Sequence, residues 1–458
     1  EALKPSPLES NLQHLTDEIG GRVPGTPAMG QAISWAQEAF RAAGGENVHT
    51  EPFQIPQSWA EYETHFAVVA PVELSLHAVS VAWGPALPPL RHVHIVDVRD
   101  GSDDDFLRAG NVAGCIVLVH GKVIQTWADL FEEYDRVPPI IQRALRGHAA
   151  AIAWISERDR DLLYRHTDTQ TGEVEPIPQV IVAREEGLRI ARLLAQGRQV
   201  YADLGIANQV GGPFHTANVV TEIRGSEHPE QFVILGAHLD SWELGTGALD
   251  NGCNAAMVID ALRAIRAARV PLKRSIRFVL FSGEEEGLLG SEAYARQHRD
   301  ELDNAMAAVI FDSGSGRVSG FTLSGRSELA GATSDLIAPL KQMGVRDVTE
   351  DADMGTDNFD FVLEGVPTLV ANQDAANYMQ NYHAMSDTFD KVDLGNLRRE
   401  VAEAAAVVVG IANAPQRFGT RQNRAQVEQL LRDTHLDQAM KESGVWAAWE
   451  SGQRGRTR

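Results

Sequence analysis

Phe281-Ser282-Gly283-Glu284-Glu285-Glu286-Gly287-Leu288-Leu289-Gly290-Ser291 decides how this chain is read. An apolar run, residues 275–281, stops on three consecutive carboxylates. Like charges repel, and a carboxylate buried without a partner is strongly unfavourable. A chain that places three at the end of a buried strand compensates them with a cation or exposes them to water. The remaining sequence settles which, by whether it carries other ligands for that cation.

It does. The apolar run 231–236 ends in Ala237-His238-Leu239-Asp240. Asp250 follows in Gly247-Ala248-Leu249-Asp250-Asn251-Gly252, and a third run, 307–311, leads straight into Asp312. Asn381-Tyr382-His383-Ala384-Met385-Ser386-Asp387-Thr388 supplies a second histidine. Each candidate follows an apolar run or lies in a loop beyond one. Open α/β sheets bind ligands outside the carboxyl ends of their strands. The segments are therefore expected to converge on one sheet edge, with His, Asp, Glu, Asp and His side chains.

With 458 residues, two domains are expected. A composition of 43% hydrophobic and 23% charged residues is that of an ordinary globular protein. A formal charge of −22 argues against nucleic acid or an anionic membrane as partner. No apolar run is long enough to span a bilayer. The first residue is Glu1 rather than Met, which suits an export leader already removed; a secreted or periplasmic protein is the expectation. Two cysteines, Cys115 and Cys253, exclude a disulfide framework and read as buried free thiols.

Residues 8–45 read as helical, with Ile33, Ala36, Phe40 and Ala43 near the 3.6-residue period and Gly44-Gly45 as the stop. Between 63 and 205 short β-rich pieces alternate with loops, and residues 100–105 form a polar turn; this segment reads as a β-rich domain inserted into the first. From 206 to 415 strands and helices alternate, the pattern of a mainly parallel sheet covered by helices. Residues 1–62 and 206–415 thus form one α/β domain interrupted by 63–205. Residues 416–458 add an amphipathic helical extension and, from Ser451, a mobile tail.

Histidine and carboxylate ligands without cysteine suit zinc, with manganese or cobalt as substitutes. Five ligands exceed one tetrahedral zinc with an open position and match two metals sharing a bridging carboxylate. Metal-assisted hydrolysis also needs a general base, for which the acidic run offers candidates. Other hydrolase signatures are absent: there is no His-Glu-x-x-His, and no Gly-x-Ser-x-Gly elbow before a helix.

The residues His238-x-Asp240, Asp250-Asn251-Gly252, Glu284-Glu285-x-Gly-Leu-x-Gly-Ser and Tyr382-His383-x-x-x-Asp387-Thr388, in that order, resemble the co-catalytic di-zinc exopeptidases. That family includes bacterial aminopeptidases, plasma glutamate carboxypeptidase (carboxypeptidase Q) and the transferrin receptor. The inserted segment, through Val98-Arg99-Asp100-Gly101 and Ile177-Pro178-Gln179-Val180, resembles the family's protease-associated domain. The resemblance implies two zinc ions per chain, one on His238 and Asp312 and the other on Glu285 and His383, with Asp250 bridging. It further implies Glu284 as general base, Asp240 as the residue orienting His238, and Tyr382 as donor to the oxyanion. A cis peptide between Asp250 and Asn251 also belongs to the family pattern. Shifting the acidic run by one residue would make Glu285 the base and Glu286 the ligand; the Glu-Glu-x-Gly-Leu spacing favours Glu284 and Glu285.

Glu286 itself reads as a solvated charge at a helix start. Cys253 reads as packing. Asp357, in Gly355-Thr356-Asp357-Asn358-Phe359, lines a substrate pocket or simply forms a turn, and Trp242 walls the pocket or packs in the core. The expected function is hydrolysis of short peptides by an aminopeptidase or dipeptidase. A carboxypeptidase of the plasma glutamate carboxypeptidase type is the alternative, for which Arg317 and Arg326 are the available cations near the motifs. A non-catalytic binding protein like the transferrin receptor is the alternative of another class, disfavoured because all five ligands and the base are present. A homodimer is a further expectation from the family.

Overall fold

Four apolar runs set the architecture, because strands covered on both faces need nearly continuous hydrophobic sequence. In the computed structural model, which describes residues 1–458, these are the parallel strands Arg274–Phe281, His228–His238, Ala305–Ile310 and Thr368–Gln373, adjacent in that order. All six residues of Ala305–Ile310 are buried, as are all of Arg274–Phe281 except Arg277. Along His228–His238 the side chains alternate between faces. Val233 and Leu235 join the cluster that holds helices Cys253–Ala268 and Leu394–Asn413. Phe232 and Ile234 join Tyr294 and Phe361 on the opposite face. Sequence patterning misses the flanks of this eight-stranded sheet. Phe214–Ile223 runs antiparallel to Arg274–Phe281, and Val318–Thr322 antiparallel to Thr368–Gln373.

This sheet belongs to a unit made of Glu1–Gln54, His215–Tyr378 and Asp387–Arg458; the second unit comprises Ile55–Phe214 and Met379–Ser386. The second unit has its own eight-stranded sheet, in which Leu87–Asp97, Ile116–Val119, Ala151–Ile155 and Gln179–Val182 are parallel neighbours. It is less purely β than the sequence suggests. Helix Trp127–Arg146 carries Pro138 and Pro139 inside it, which hides it from a propensity reading. The acidic stretch expected to be a turn starts helix Asp103–Ala109, capped by Ser102. No helix is long and apolar enough to cross a membrane.

Three further expectations are corrected. The N-terminal helical region is interrupted: Leu8–Gln13 and a π turn, His14–Ile19, are followed by a loop through Gly20 and Gly21 before helix Pro27–Ala42. Cys115 is half-exposed rather than buried. The C-terminal residues are not a mobile tail. Leu431, Met440 and Trp449 pack on Phe359 and Leu363, and the buried Arg454 grips Asp360 through Nε and Nη2, both at 2.8 Å.

Two stability predictions follow from buried charge. Arg454→Met leaves Asp360 buried without its cation and is expected to cost about 3–5 kcal/mol in urea denaturation. Helix Leu394–Asn413 buries Glu400 and Glu403 one turn apart. Burial pushes the Glu403 carboxyl from 4.5 up to about 7 against the pull of Arg399. The fold therefore favours the protonated form. Its contribution is full below pH 4.5 and is lost as pH rises through about 7. Glu403→Gln is expected to flatten that decline in denaturation midpoints measured across the interval.

Candidate active site

Strand register brings the candidates together. His238 ends its strand opposite Phe281 on one side, while Gly236 pairs with Ile310 on the other. The residues just beyond, Glu284 to Glu286 and Asp312, therefore emerge beside His238 at the carboxyl edge. His238 Nε2 lies 2.9 Å from Asp312 Oδ1, 3.1 Å from Asp250 Oδ1 and 4.0 Å from Glu284 Oε2. Two groups can each enclose an ion: His238, Glu284 and Asp312, and His238, Asp250 and Glu285. Within each, the donor atoms lie within 4.8 Å of one another. Imidazole and carboxylate donors at this spacing, buried at a sheet edge, fit a zinc-type cation.

Electrostatics carry the same message. Burial opposes the imidazolium of His238, but Asp312, Glu284, Asp240 and Asp250 outweigh it and hold its pKa well above the usual value. Burial pushes Glu284 well above the ordinary carboxylate range; His238 opposes the shift, while Asp312, Glu285 and Asp357 add to it. Asp312 is raised by burial against the pull of His238.

Asp240 reaches His238 mainly through its main chain. Its carbonyl accepts from Nδ1 at 3.1 Å, and its carboxylate, 3.7 Å from Nδ1, accepts instead from the Glu285 amide at 3.2 Å. Asp250 is held from three sides. Its amide donates to Asp387 Oδ2 at 3.1 Å, and the Leu249 amide donates to Oδ1 at 2.7 Å. Tyr378 donates its hydroxyl to Asp250 Oδ2 at 3.0 Å. The Asp250-Asn251 peptide is cis. Asn251 Nδ2 donates to the Phe311 carbonyl at 3.0 Å, tying this loop to the chain entering Asp312.

The acidic turn differs from expectation at one position. Glu286 is fully buried, not solvated, and burial together with Asp240 and Glu285 raises its pKa well above the usual range. The turn is pressed inward: a Cβ on Gly290 would overlap the Ser282 carbonyl, so the following helix, Leu289–Gln297, starts against the strand end and carries Glu286 inside. Asp357 is buried at the start of helix Asn358–Leu363; its carboxyl is raised by burial, opposed by His238 and supported by Asp312 and Asp240. Trp242 is buried in the loop after Asp240. Cys253 packs at its helix start, its thiol donating to the Leu249 carbonyl at 3.4 Å.

His383 and Tyr382 belong to the second unit. His383 is buried at a positive φ of 57°, with the Tyr382 ring stacked 3.7 Å away and the His166 ring 5.6 Å away. The Tyr382 hydroxyl shares a hydrogen bond with that of Tyr134, and Arg158 Nη2 donates to the Tyr382 carbonyl at 2.9 Å. Sequence reading missed Tyr378, Tyr134 and the function of Asp387 as an acceptor. Only Asp387 carried a signal, its place in the last motif.

A buried carboxylate cluster around one histidine, at the carboxyl edge of the parallel central strands, suits a metal-dependent hydrolase. Residues 218–409 match the model of Peptidase family M28, and the chain is a metallo-exopeptidase. Carboxypeptidase Q of Bos taurus is 26% identical over 411 residues, covering 88% of this chain and 84% of the relative. The crystal structure of a Peptidase M28 precursor from Shewanella amazonensis superposes with a TM-score of 0.84 at 25% identity, covering 92% of this chain and 96% of that one. A zinc aminopeptidase from Bacillus subtilis shares the fold, with a TM-score of 0.69 at 18% identity over 90% of this chain and 97% of that one.

Tyr378→Phe deletes the hydroxyl that donates to Asp250 Oδ2 and, at 3.5 Å, to the Asp312 carbonyl. Zinc affinity, measured by competition with a chelator, is expected to fall by about 10- to 100-fold.

Proposed function

We propose that the chain is a zinc-dependent exopeptidase that removes a terminal residue from short peptides, acting as an aminopeptidase or dipeptidase. The observation that carries this reading is the clustering of His238, Asp250, Glu284, Glu285 and Asp312 donor atoms at one sheet edge. His238, Asp250, Glu285 and Asp312 would hold the zinc, and the sequence motif alone assigns His383 to it as a further ligand. Zinc bound there supplies Lewis acidity and lowers the pKa of water.

Glu284 takes a proton from the attacking water and delivers it to the leaving nitrogen. Its carboxylate, 4.0 Å from His238 Nε2 and in the same cluster as the metal ligands, stands where such a proton exchange is needed. The motif resemblance assigns Tyr382 the part of donor to the oxyanion. Arg317 and Arg326 do not serve a substrate carboxylate in this reading. Arg317 pairs with Asp374, and Arg326 is engaged by Glu328 and the carbonyls of Gly365 and Thr420. The second unit is read as a protease-associated domain on its sequence resemblance.

A carboxypeptidase is the second reading, favoured by the similarity to carboxypeptidase Q along most of the chain. A panel of free, N-blocked and C-blocked dipeptides assayed with zinc separates the two. Loss of hydrolysis on N-blocking supports the amine reading, and loss on C-blocking supports the carboxypeptidase. Metal analysis is expected to return about two zinc ions per chain. Glu284→Gln is expected to retain that zinc while turnover drops by about 10²- to 10⁴-fold; turnover at the wild-type level would remove Glu284 from the mechanism.

A further inference from the structure

Arg22 is a fully buried cation far from the metal-ligand motifs in sequence and outside the 218–409 stretch that matches the family. Its guanidinium donates in three directions. Nε bonds the Leu239 carbonyl at 2.6 Å, Nη1 the carbonyls of Gly20 and Thr246 at 2.8 Å each, and Nη2 the Gly247 carbonyl at 2.9 Å. Its own amide donates to Ser241 Oγ at 3.1 Å. Leu239 directly follows His238, and Gly247 lies three residues before Asp250. Thr246 and Gly247 are themselves tied onward: the Thr246 amide donates to the Asp387 carbonyl at 2.8 Å, and the Gly247 carbonyl also accepts from the Gly252 amide at 3.0 Å.

The chain is shaped to admit this side chain. A Cβ on Gly21 would overlap Glu243 Cα, and one on Gly247 would overlap Ser241 and crowd Arg22 Nη2. The two loops and the Arg22 segment therefore meet main chain to main chain. Burial lowers the guanidinium to about 10, opposed by Asp387, Asp240, Asp250 and Glu285, so it stays charged at neutral pH.

We propose that Arg22 is a positioning residue of the metal centre, its planar fork tying the chain after His238 to the chain before Asp250 so that both ligands are spaced before metal binds. Lysine cannot replace it. One ammonium presents its donors from a single nitrogen, whereas these carbonyls are spread over three nitrogens. The proposal rests on the metal-centre reading above.

The test uses the full chain and zinc alone. Arg22→Lys keeps the charge and removes the fork. Gly21→Ala forces the loops apart without changing Arg22. In both, the zinc dissociation constant from chelator competition is expected to rise about 10- to 100-fold, with a correspondingly smaller rise in melting temperature on adding zinc. Wild-type zinc affinity in the folded variants, or a melting temperature lowered equally with and without zinc, overturns the proposal and leaves Arg22 purely structural. If a variant is unfolded without zinc, the rate at which a chelator strips the loaded protein is measured instead; faster loss supports the clasp and an unchanged rate overturns it. A wild-type chain that binds no zinc is a different failure, since it overturns the metal-centre reading itself.

Discussion

Mutual repulsion among carboxylates is the constraint on which the peptidase unit turns. Asp250, Glu284 and Asp312 crowd around Nε2 of His238, and Glu285 and Glu286 stand directly behind. His238 attracts them, but burial and their mutual repulsion outweigh that attraction at Glu284 and Asp312. They stay because they are attached to main chain that is fixed for other reasons: buried parallel strands, the Asn251 bond to Phe311, and the Arg22 bonds to four carbonyls. The rigidity of the surrounding backbone is thus what converts an unfavourable charge cluster into a cation site.

The support is built largely from polar contacts to backbone, which explains its precision. Asp387 fixes Asp250 through two amides, and Asp240 holds His238 through a carbonyl. A side chain that bonds main chain sets where a neighbouring residue begins, without competing for the metal. Tyr378 is the exception, touching the Asp250 carboxylate itself.

What could be read from sequence follows the same division. The four central strands and the two helices Cys253–Ala268 and Leu394–Asn413 were legible because they are nearly continuous apolar or periodic runs. The residues gathered at the strand ends were legible because charge directly after an apolar strand is unusual. Arg22, Tyr378 and Tyr134 were not, since each acts through a contact between distant segments that leaves no local pattern. Glu286 was misread for a related reason. Helix-start charges are ordinarily solvated, whereas this one is fully buried in a turn whose following helix packs tightly on the strand end at Gly290. Helix Trp127–Arg146 was hidden by its own prolines, and the C-terminal residues read as mobile because the partner of Arg454, Asp360, lies far away in sequence on helix Asn358–Leu363.

The second unit interrupts the first between Gln54 and His215, yet its own first and last strands are paired, with Trp59 opposite Val210 and Phe66 opposite Leu204. This closes the interruption from within. Loop-closure entropy grows only with the logarithm of length, and a segment that folds by itself with its ends side by side costs its host little more than a short turn. Arg22 and Leu239 must nonetheless find each other across the whole of it. Long-range contacts of this kind are made late. Pairing of the inserted sheet's end strands holds its two ends side by side, and so lowers the entropic cost of the bond between Arg22 and Leu239.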